Sequence, residues 1–397
     1  MAAEKKIFAK VDFHKLVVRL VTALVLLALA YNLAVCWRVF REVPLRESAS
    51  RSLMAANSGF FYDSGLAEPL PVFALKAAVV LGVDPDAAVR LEGLAAFAAV
   101  TLLTLVILCR RFGAIAGKIG ALFLATNPYM GYYAMQGDSH LYALFFLLLF
   151  WHYFDPAELT LRRAAWAGFF GGLACLSRLD SAWFLLLAVG LFAALNLRKF
   201  NFKAAGIALG LAFLLVSPYL VYQRVQYKNS FYAQELRLRS WANRERYWQK
   251  LPGPAVTGPL SIQGFIFRDG ALGALRGVLR GLGHSVSFEL PKIVYFKFII
   301  VLVFLGFYAA FLLKKDALLI FAAAAFLPAL ALAPIGEIYA AGGITLRYYL
   351  WTFWAFCALA GLGFQEILAW VVKQMGDWIK EKETAAAVSG RDAEGGK

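Results

Sequence analysis

The feature that most constrains this chain is a succession of apolar stretches, each about 20 residues long, which is the length needed to cross a bilayer. Hydrophobic residues make up 61% of the 397 residues and charged residues only 16%. A soluble domain is about 45–50% apolar and about 25% charged. The excess is too large for one soluble core, so the sequence predicts a membrane protein. Its spans should be α-helical, because helices satisfy their own backbone hydrogen bonds inside lipid.

The apolar stretches predict an all-α, polytopic transmembrane bundle of about ten spans. The first stretch follows a basic start, but it is long for a signal peptide and lacks a small-residue cleavage site. We therefore interpret it as a span. The predicted spans lie near 16–38, 87–109, 115–133, 139–154, 164–178, 181–197, 204–223, 293–313, 317–334 and 347–372.

Lysine and arginine cluster at the ends of alternate connections, and such clusters mark the cytoplasmic side. The pattern predicts a transmembrane domain over 1–372 in an inner or plasma membrane, with both termini cytoplasmic. The tail, 373–397, is polar, and we expect it to be disordered from residue 383 onward. The basic clusters are Arg110–Arg111, Arg162–Arg163, Arg198–Lys199 with Lys203, Lys314–Lys315, and Lys380 with Lys382. The outer loops are then 39–86, 127–140, 224–292 and 335–347.

The first two outer loops combine amphipathic stretches with acidic residues. Segments 47–57 and 68–82 are typical of helices that lie at the membrane interface. An acid at this face can bind a divalent cation such as Mg²⁺ or Mn²⁺, or take a proton from a hydroxyl. The alternative is that these acids are ordinary solvated loop charges. The candidate catalytic residues are Glu47, Asp63, Glu68 and Asp138, with His140 close by as a candidate binding residue.

The long outer loop, 224–292, is rich in arginine interleaved with tyrosine and tryptophan, beginning at Arg224. Guanidinium groups suit phosphate oxygens, and aromatic rings suit sugars or the level of the lipid headgroups. Contact with anionic lipids is the alternative. The net charge of +15 does not predict nucleic-acid binding, because no nucleic-acid motif is present and the basic loop faces outward.

Two arginines lie closer to the membrane than the loops. Arg178 stands between two apolar stretches, and Arg347 begins the last span. A cation at such a position is costly, which favours a function. The structural alternative for Arg178 is pairing with Asp180. Gly168 and Gly172 form a small-residue pair that indicates helix packing.

The order of these features resembles the glycosyltransferase C superfamily, in the branch that includes protein O-mannosyltransferases and the aminoarabinose lipid A transferase. The resemblance covers most of 40–195 and 345–365. Each piece is weak alone, and the ordered set is more specific. The pieces are Glu47, Glu68-Pro69-Leu70-Pro71, Val89-Arg90-Leu91, Arg110-Arg111-Phe112-Gly113, Thr126-Asn127-Pro128 with Tyr133 and Asp138, Gly172 to Arg178, and Arg347-Tyr348-Tyr349-Leu350.

The resemblance implies transfer of a sugar from a polyprenyl-phosphate donor to a lipid, glycan or protein acceptor on the outer face, usually with inversion. It implies an acid in the first outer loop as base or metal partner, and basic residues on the carrier phosphate. The family often has Asp-Glu where this chain has Arg46-Glu47, so Glu42 or Asp63 are alternatives to Glu47. The expected substrate-binding residues are Arg347, Arg178, Tyr348, Arg224, Tyr133 and His140.

Two other classes of function stay open. A transporter or lipid flippase would have polar groups at mid-membrane and broken helices. A non-catalytic relative acting as a subunit would fit the missing aspartate.

Overall fold

A computed structural model describes residues 13–45, 51–52, 55, 68–155, 159–195, 200–248, 258, 260–261, 264, 267, 270–331 and 345–394. Within these ranges the chain is helical and contains no strand, as the all-α prediction requires. The helices are α1 (Phe13–Phe40), α2 (Pro69–Val80), α3 (Pro85–Phe112), α4 (Ala114–Ala125), α5 (Pro128–Met135), α6 (Ser139–Tyr153), α7 (Leu161–Ser177), α8 (Ser181–Leu195), α9 (Phe202–Tyr227), α10 (Tyr232–Trp248), α11 (Gly270–His284), α12 (Leu290–Val294), α13 (Phe298–Leu312), α14 (Asp316–Ala331) and α15 (Leu350–Glu394).

A helix lies at each predicted span, but few of these helices are long enough to cross a bilayer alone. Of the described helices, four are long and apolar enough: Val18–Phe40, Pro85–Phe112, Phe202–Tyr227 and Leu346–Trp378. A fifth results if Ser285–Val294 and Phe298–Leu312, which meet at 102°, form one broken span. Several others have only 12 to 17 residues, short of the roughly 20 that lipid requires. The protein is therefore a helical membrane protein with four or five candidate spans.

Glycine allows two pairs of helices to approach closely. A Cβ on Gly168 would lie 2.5 Å from the carbonyl oxygen of Ala208, and one on Gly172 would lie 2.8 Å from Leu215 Cβ. The predicted packing role of this pair is confirmed, because both glycines face α9. On the other side of the bundle, a Cβ on Gly306 of α13 would meet the Leu359 carbonyl oxygen of α15 at 1.8 Å.

Capping side chains fix where the helices begin near the predicted outer loops. The side chain of Asn127 accepts hydrogen bonds from the backbone nitrogens of Tyr129 and Met130 at the start of α5. Asp138 accepts from the His140 nitrogen at the start of α6. Such caps satisfy donors that have no partner within the helix. Asn127 and Asp138 therefore fix the starts of α5 and α6 at one end of the bundle.

Two sequence predictions are wrong in their boundaries. The predicted span 293–313 is interrupted, because Tyr295 has a φ of 57° and the chain turns sharply between Val294 and Phe298. One turn of π-helix, Ser285–Glu289, precedes this bend. The tail that we expected to be disordered from 383 continues α15 as helix to Glu394.

Candidate functional site

A buried arginine forms the centre of the candidate site. α7 ends at Ser177, and Arg178 follows in an extended conformation with its side chain 1% exposed. Its Nε and Nη2 atoms donate to the carboxylate of Asp180 at 2.9 and 2.7 Å. Its Nη1 donates to Glu68 at 3.3 Å and to Ser139 Oγ at 3.0 Å. The pairing with Asp180 that we held as the structural alternative therefore exists, but Arg178 also joins two other segments.

Glu68 lies between two arginines. Besides Arg178, its carboxylate contacts Arg51 at 3.1 Å. Arg51 is 4% exposed and also donates to the Gly137 carbonyl oxygen at 2.6 Å. The predicted catalytic acid Glu68 is thus an ion-pair partner that ties the first outer loop to the starts of α6 and α8.

Asp138 and His140 form a buried pair at the start of α6. The Asp138 Oδ1 and His140 Nδ1 atoms are 2.6 Å apart. The rest of the histidine ring contacts aromatic side chains edge-on, with centroid distances of 5.2 Å to Tyr348 and 5.8 Å to Trp351. The Trp351 indole also donates to the His140 carbonyl oxygen at 2.9 Å, which joins α6 to α15.

Arg347 and Tyr348 complete this buried group of side chains. Tyr348 is 8% exposed, and its hydroxyl accepts a hydrogen bond from Arg347 at 3.0 Å. The guanidinium carbons of Arg347 and Arg178 lie 4.9 and 5.9 Å from the Tyr348 ring centre. We use the term mouth cluster for Arg51, Glu68, Asp138, Ser139, His140, Arg178, Asp180, Arg347 and Tyr348.

The charges of the mouth cluster stabilise one another. Burial alone would raise the pKa of Asp138, but the adjoining His140 and the guanidinium of Arg178 lower this pKa to about 2. Burial disfavours a charged guanidinium, yet Asp180 and Glu68 hold the pKa of Arg178 above its ordinary value. Arg178 and Asp138 are therefore charged at neutral pH, although both are buried.

The other predicted site residues lie beside the cluster, apart from it, or outside the described residues. Tyr133 is adjacent to the cluster, since its carbonyl oxygen accepts a hydrogen bond from the Asp138 backbone nitrogen at 3.0 Å. Burial is the main cause that raises the pKa of the Tyr133 hydroxyl, and the negative charge of Asp138 is the second. Arg224 is exposed at the end of α9 and donates to the Lys228 carbonyl oxygen. Glu47 and Asp63 lie outside the described residues.

Sequence reasoning missed polar groups that the fold brings close to the cluster. The Tyr142 hydroxyl donates to the Glu92 carboxylate at 3.0 Å, and Arg51 acts electrostatically on Glu92. Glu92 lies inside the predicted span 87–109, and an acid at such a position is a signal that the sequence alone shows. Glu289, 4% exposed on the π-helical turn, had no comparable signal, because its position beside Tyr133 depends on the bend.

An apolar groove begins next to Arg178. It has a volume of about 740 Å³ and is formed by α8, α9 and α10. Leu179 and Ala182 line its near end, and Asn229, Gln234 and Glu235 are polar residues along its wall. The groove therefore offers space for an apolar chain near the turn that carries Arg178.

The divalent cation that we considered has no candidate site among the described residues, which do not include Glu47 or Asp63. No group of three His, Cys, Asp or Glu side chains that could hold a metal ion occurs among them. Glu68 and Asp180 are already paired with arginines. We derive no step through a metal ion.

The fold and the site together define a polytopic helical membrane protein with a buried charged cluster at one end of its bundle. Comparison with models of known protein families and with curated protein sequences gave no match for this chain.

Proposed function

We propose that the protein is a membrane glycosyltransferase that moves a sugar from a polyprenyl-phosphate donor to a lipid, glycan or protein acceptor on the outer face of the membrane, with inversion. The observation that carries this proposal is the mouth cluster. Residues from the first outer loop, the second outer loop, the α7–α8 turn and the last span converge on one buried site. Four separate segments of the proposed resemblance thus meet at one place.

The chemistry of such a transfer suits the cluster and the groove. The departing phosphate gains negative charge, which preorganised arginines stabilise. Arg347 and Arg178 supply positive charge at this end of the bundle, and the groove that starts at Leu179 suits the polyprenyl chain. In this arrangement the phosphate of the donor binds beside the arginines, and its polyprenyl chain binds among the apolar side chains of the groove.

We also propose ten spans with both termini in the cytoplasm. The short helices then cross where the bilayer is locally thinned, at a modest cost in free energy. This arrangement places the mouth cluster outside and Arg110 and Arg111 inside.

The function is tested by incubating purified protein in proteoliposomes with labelled polyprenyl-phosphate sugars and candidate acceptors. We expect release of polyprenyl phosphate that depends on the acceptor. A Glu47→Gln variant should lose this transfer at unchanged protein level, whereas Asp316→Asn, at the opposite end of the bundle, should keep it. Full activity of Glu47→Gln would refute the role of Glu47, and no transfer with any donor would refute the proposed enzyme.

The orientation is tested with single cysteines at the two ends of α3. Leu81 is 83% exposed just before this helix, and Arg110 is exposed at its far end. A membrane-impermeant thiol reagent should label Leu81→Cys in sealed cells, and Arg110→Cys only after the cells are opened. Labelling of Arg110→Cys in sealed cells would invert the topology.

A transporter or flippase stays the second candidate, because two observations favour it. The helix bend at Tyr295 interrupts a span, and Glu92 lies inside another, as transport sites require. The same proteoliposomes separate the two functions. Movement of labelled donor across the bilayer without an acceptor would support transport, and neither movement nor transfer would favour a non-catalytic subunit.

A further inference from the structure

We propose that His140, held by Asp138, is the proton acceptor of the transfer reaction, an inference that rests on the proposed function. Glu47, the first-loop acid implied by the family resemblance, then assists the transfer without taking the proton, so Glu47→Gln and His140→Gln should both reduce it. Asp138 orients the His140 ring, the ring Nε2 has no hydrogen-bond partner among the described residues, and the rings of Tyr348 and Trp351 enclose it.

The contact between Asp138 and His140 fixes which imidazole nitrogen carries the proton. Asp138 Oδ1 accepts hydrogen bonds from the His140 backbone nitrogen at 2.8 Å and from the ring Nδ1 at 2.6 Å. A carboxylate can only accept here, so Nδ1 donates and Nε2 keeps its lone pair. Asp138 itself cannot turn away, because it also caps α6. The pair is therefore preorganised to present Nε2 as a base.

The Nε2 atom of His140 is buried and has no hydrogen-bond partner among the described residues. Buried polar atoms are nearly always paired, and an exception at a candidate site calls for an explanation. An acceptor hydroxyl that donates to Nε2 during the reaction supplies that partner. By contrast, the carboxylates of Glu68 and Asp180 are engaged by arginines, which makes them poorer proton acceptors.

Access to Nε2 requires movement of one ring. His140 is 2% exposed, and the rings of Tyr348 and Trp351 lie against it. Trp351 is tied to the same helix through its hydrogen bond to the His140 carbonyl oxygen. In this proposal the Tyr348 ring moves when the acceptor enters, and its hydroxyl leaves Arg347 as it does so.

The proposed step balances without a further reactant. The acceptor hydroxyl gives its proton to Nε2 while its oxygen forms a bond to the anomeric carbon of the sugar. The bond between that carbon and the carrier phosphate breaks, and its electron pair leaves with the phosphate. The resulting imidazolium is stabilised by Asp138, as an aspartate does for a catalytic histidine in acyl transfer.

The experiment compares His140→Gln with a matched histidine on the same helix. His152 lies at the other end of α6, and His152→Gln should keep the unaltered rate. Glutamine keeps a hydrogen-bonding amide near Asp138 but cannot take the proton, so His140→Gln should lose about 100-fold in kcat, the lower end of what a general base contributes. Binding of the labelled donor should not change. Asp138→Asn should also reduce kcat, because an asparagine favours the wrong imidazole tautomer.

Rescue with a small molecule separates a chemical role from a structural one. His140→Ala leaves a hole of imidazole size, and added imidazole should restore part of the transfer in this variant but not in Asp138→Asn. Transfer by His140→Gln near the unaltered rate would refute the assignment and leave the proposed function standing. Loss of transfer without rescue, in variants that still bind donor, would also refute it. Absence of transfer by the unaltered protein would instead refute the proposed function, and this inference with it.

Discussion

The two ends of α6 carry the same kinds of side chain in different arrangements. At its C-terminal end, Arg111 lies 4.4 Å from the Trp151 ring centre. It donates to the carbonyl oxygens of Trp151 and His152 at 2.9 and 3.3 Å, and it contacts the partly exposed Asp155 at 3.4 Å. All of these partners lie within the helix or directly after it.

The N-terminal end of α6 has an arginine, an acid, an aromatic ring and a histidine as well. There, however, Arg178 bonds to Asp180, two residues along the chain, and to Glu68, 110 residues away, and is 1% exposed. The Nε2 atom of His140 has no hydrogen-bond partner among the described residues. An arginine that satisfies the last carbonyls of a helix completes backbone hydrogen bonding. A fully buried arginine that is paired with two carboxylates costs stability, which favours a function for it.

The largest expected effect comes from neutralising each arginine in turn. Arg178→Gln removes the buried countercharge of Asp180, which is 25% exposed, and leaves Glu68 with Arg51 alone. The free energy of unfolding should therefore fall by about 3 kcal/mol, the lower end of the cost of breaking a buried pair, and transfer should be lost. Arg111→Gln removes hydrogen bonds at a partly exposed position and should cost at most about 2 kcal/mol, with transfer retained. Thermal unfolding in detergent and the proteoliposome assay measure the two quantities.

A double variant shows whether the effect of Arg178→Gln is more than unfolding. Arg178→Gln with Asp180→Asn also removes the negative charge that lost its arginine, and it should regain part of the lost stability but no transfer. Normal transfer by this double variant would mean that the two ends of α6 do not differ in function.

The sequence predicted the positions of the helices better than the contacts between them. Apolar stretches act locally, so most helices could be located from them, but the predicted span 115–133 runs through the break between α4 and α5 at Asn127. Arg178 attracted notice because a cation between apolar stretches is rare. Its partner Glu68 lies 110 residues away, and no local pattern encodes that pairing.

The bend at Tyr295 shows why one span was drawn incorrectly. Residues 293–313 are apolar apart from Lys297, and a positive φ at a tyrosine has no sequence signal comparable to glycine. The Asn127 side chain donates to the Ile293 carbonyl oxygen at 2.7 Å, so a residue from another segment holds the end of α12. Tertiary contacts thus set the position of Glu289, which sequence reasoning missed.

A smaller effect should follow from filling the apolar groove, which lies near the N-terminal end of α6, where Arg178 is. Ala182 lines this groove, and Ala182→Phe should raise the KM for the polyprenyl donor about tenfold, equivalent to roughly 1.4 kcal/mol of binding. The value of kcat should stay the same, because the chain binds equally in the ground and transition states. Gly190, on the same helix α8, has open space around the position of a Cβ. Gly190→Phe should therefore leave KM unchanged.

Shortening the carrier sharpens this test, because a short chain does not reach into the groove. The difference in KM between Ala182→Phe and Gly190→Phe should disappear with a donor that carries only one or two prenyl units. Kinetics with long and short donors measure this directly. If both variants raise KM for the long donor to the same extent, the chain binds elsewhere. The buried charge of Arg178 would then have no apolar site next to it that recognises the donor, and the contrast between the two ends of α6 would be one of side-chain pairing alone.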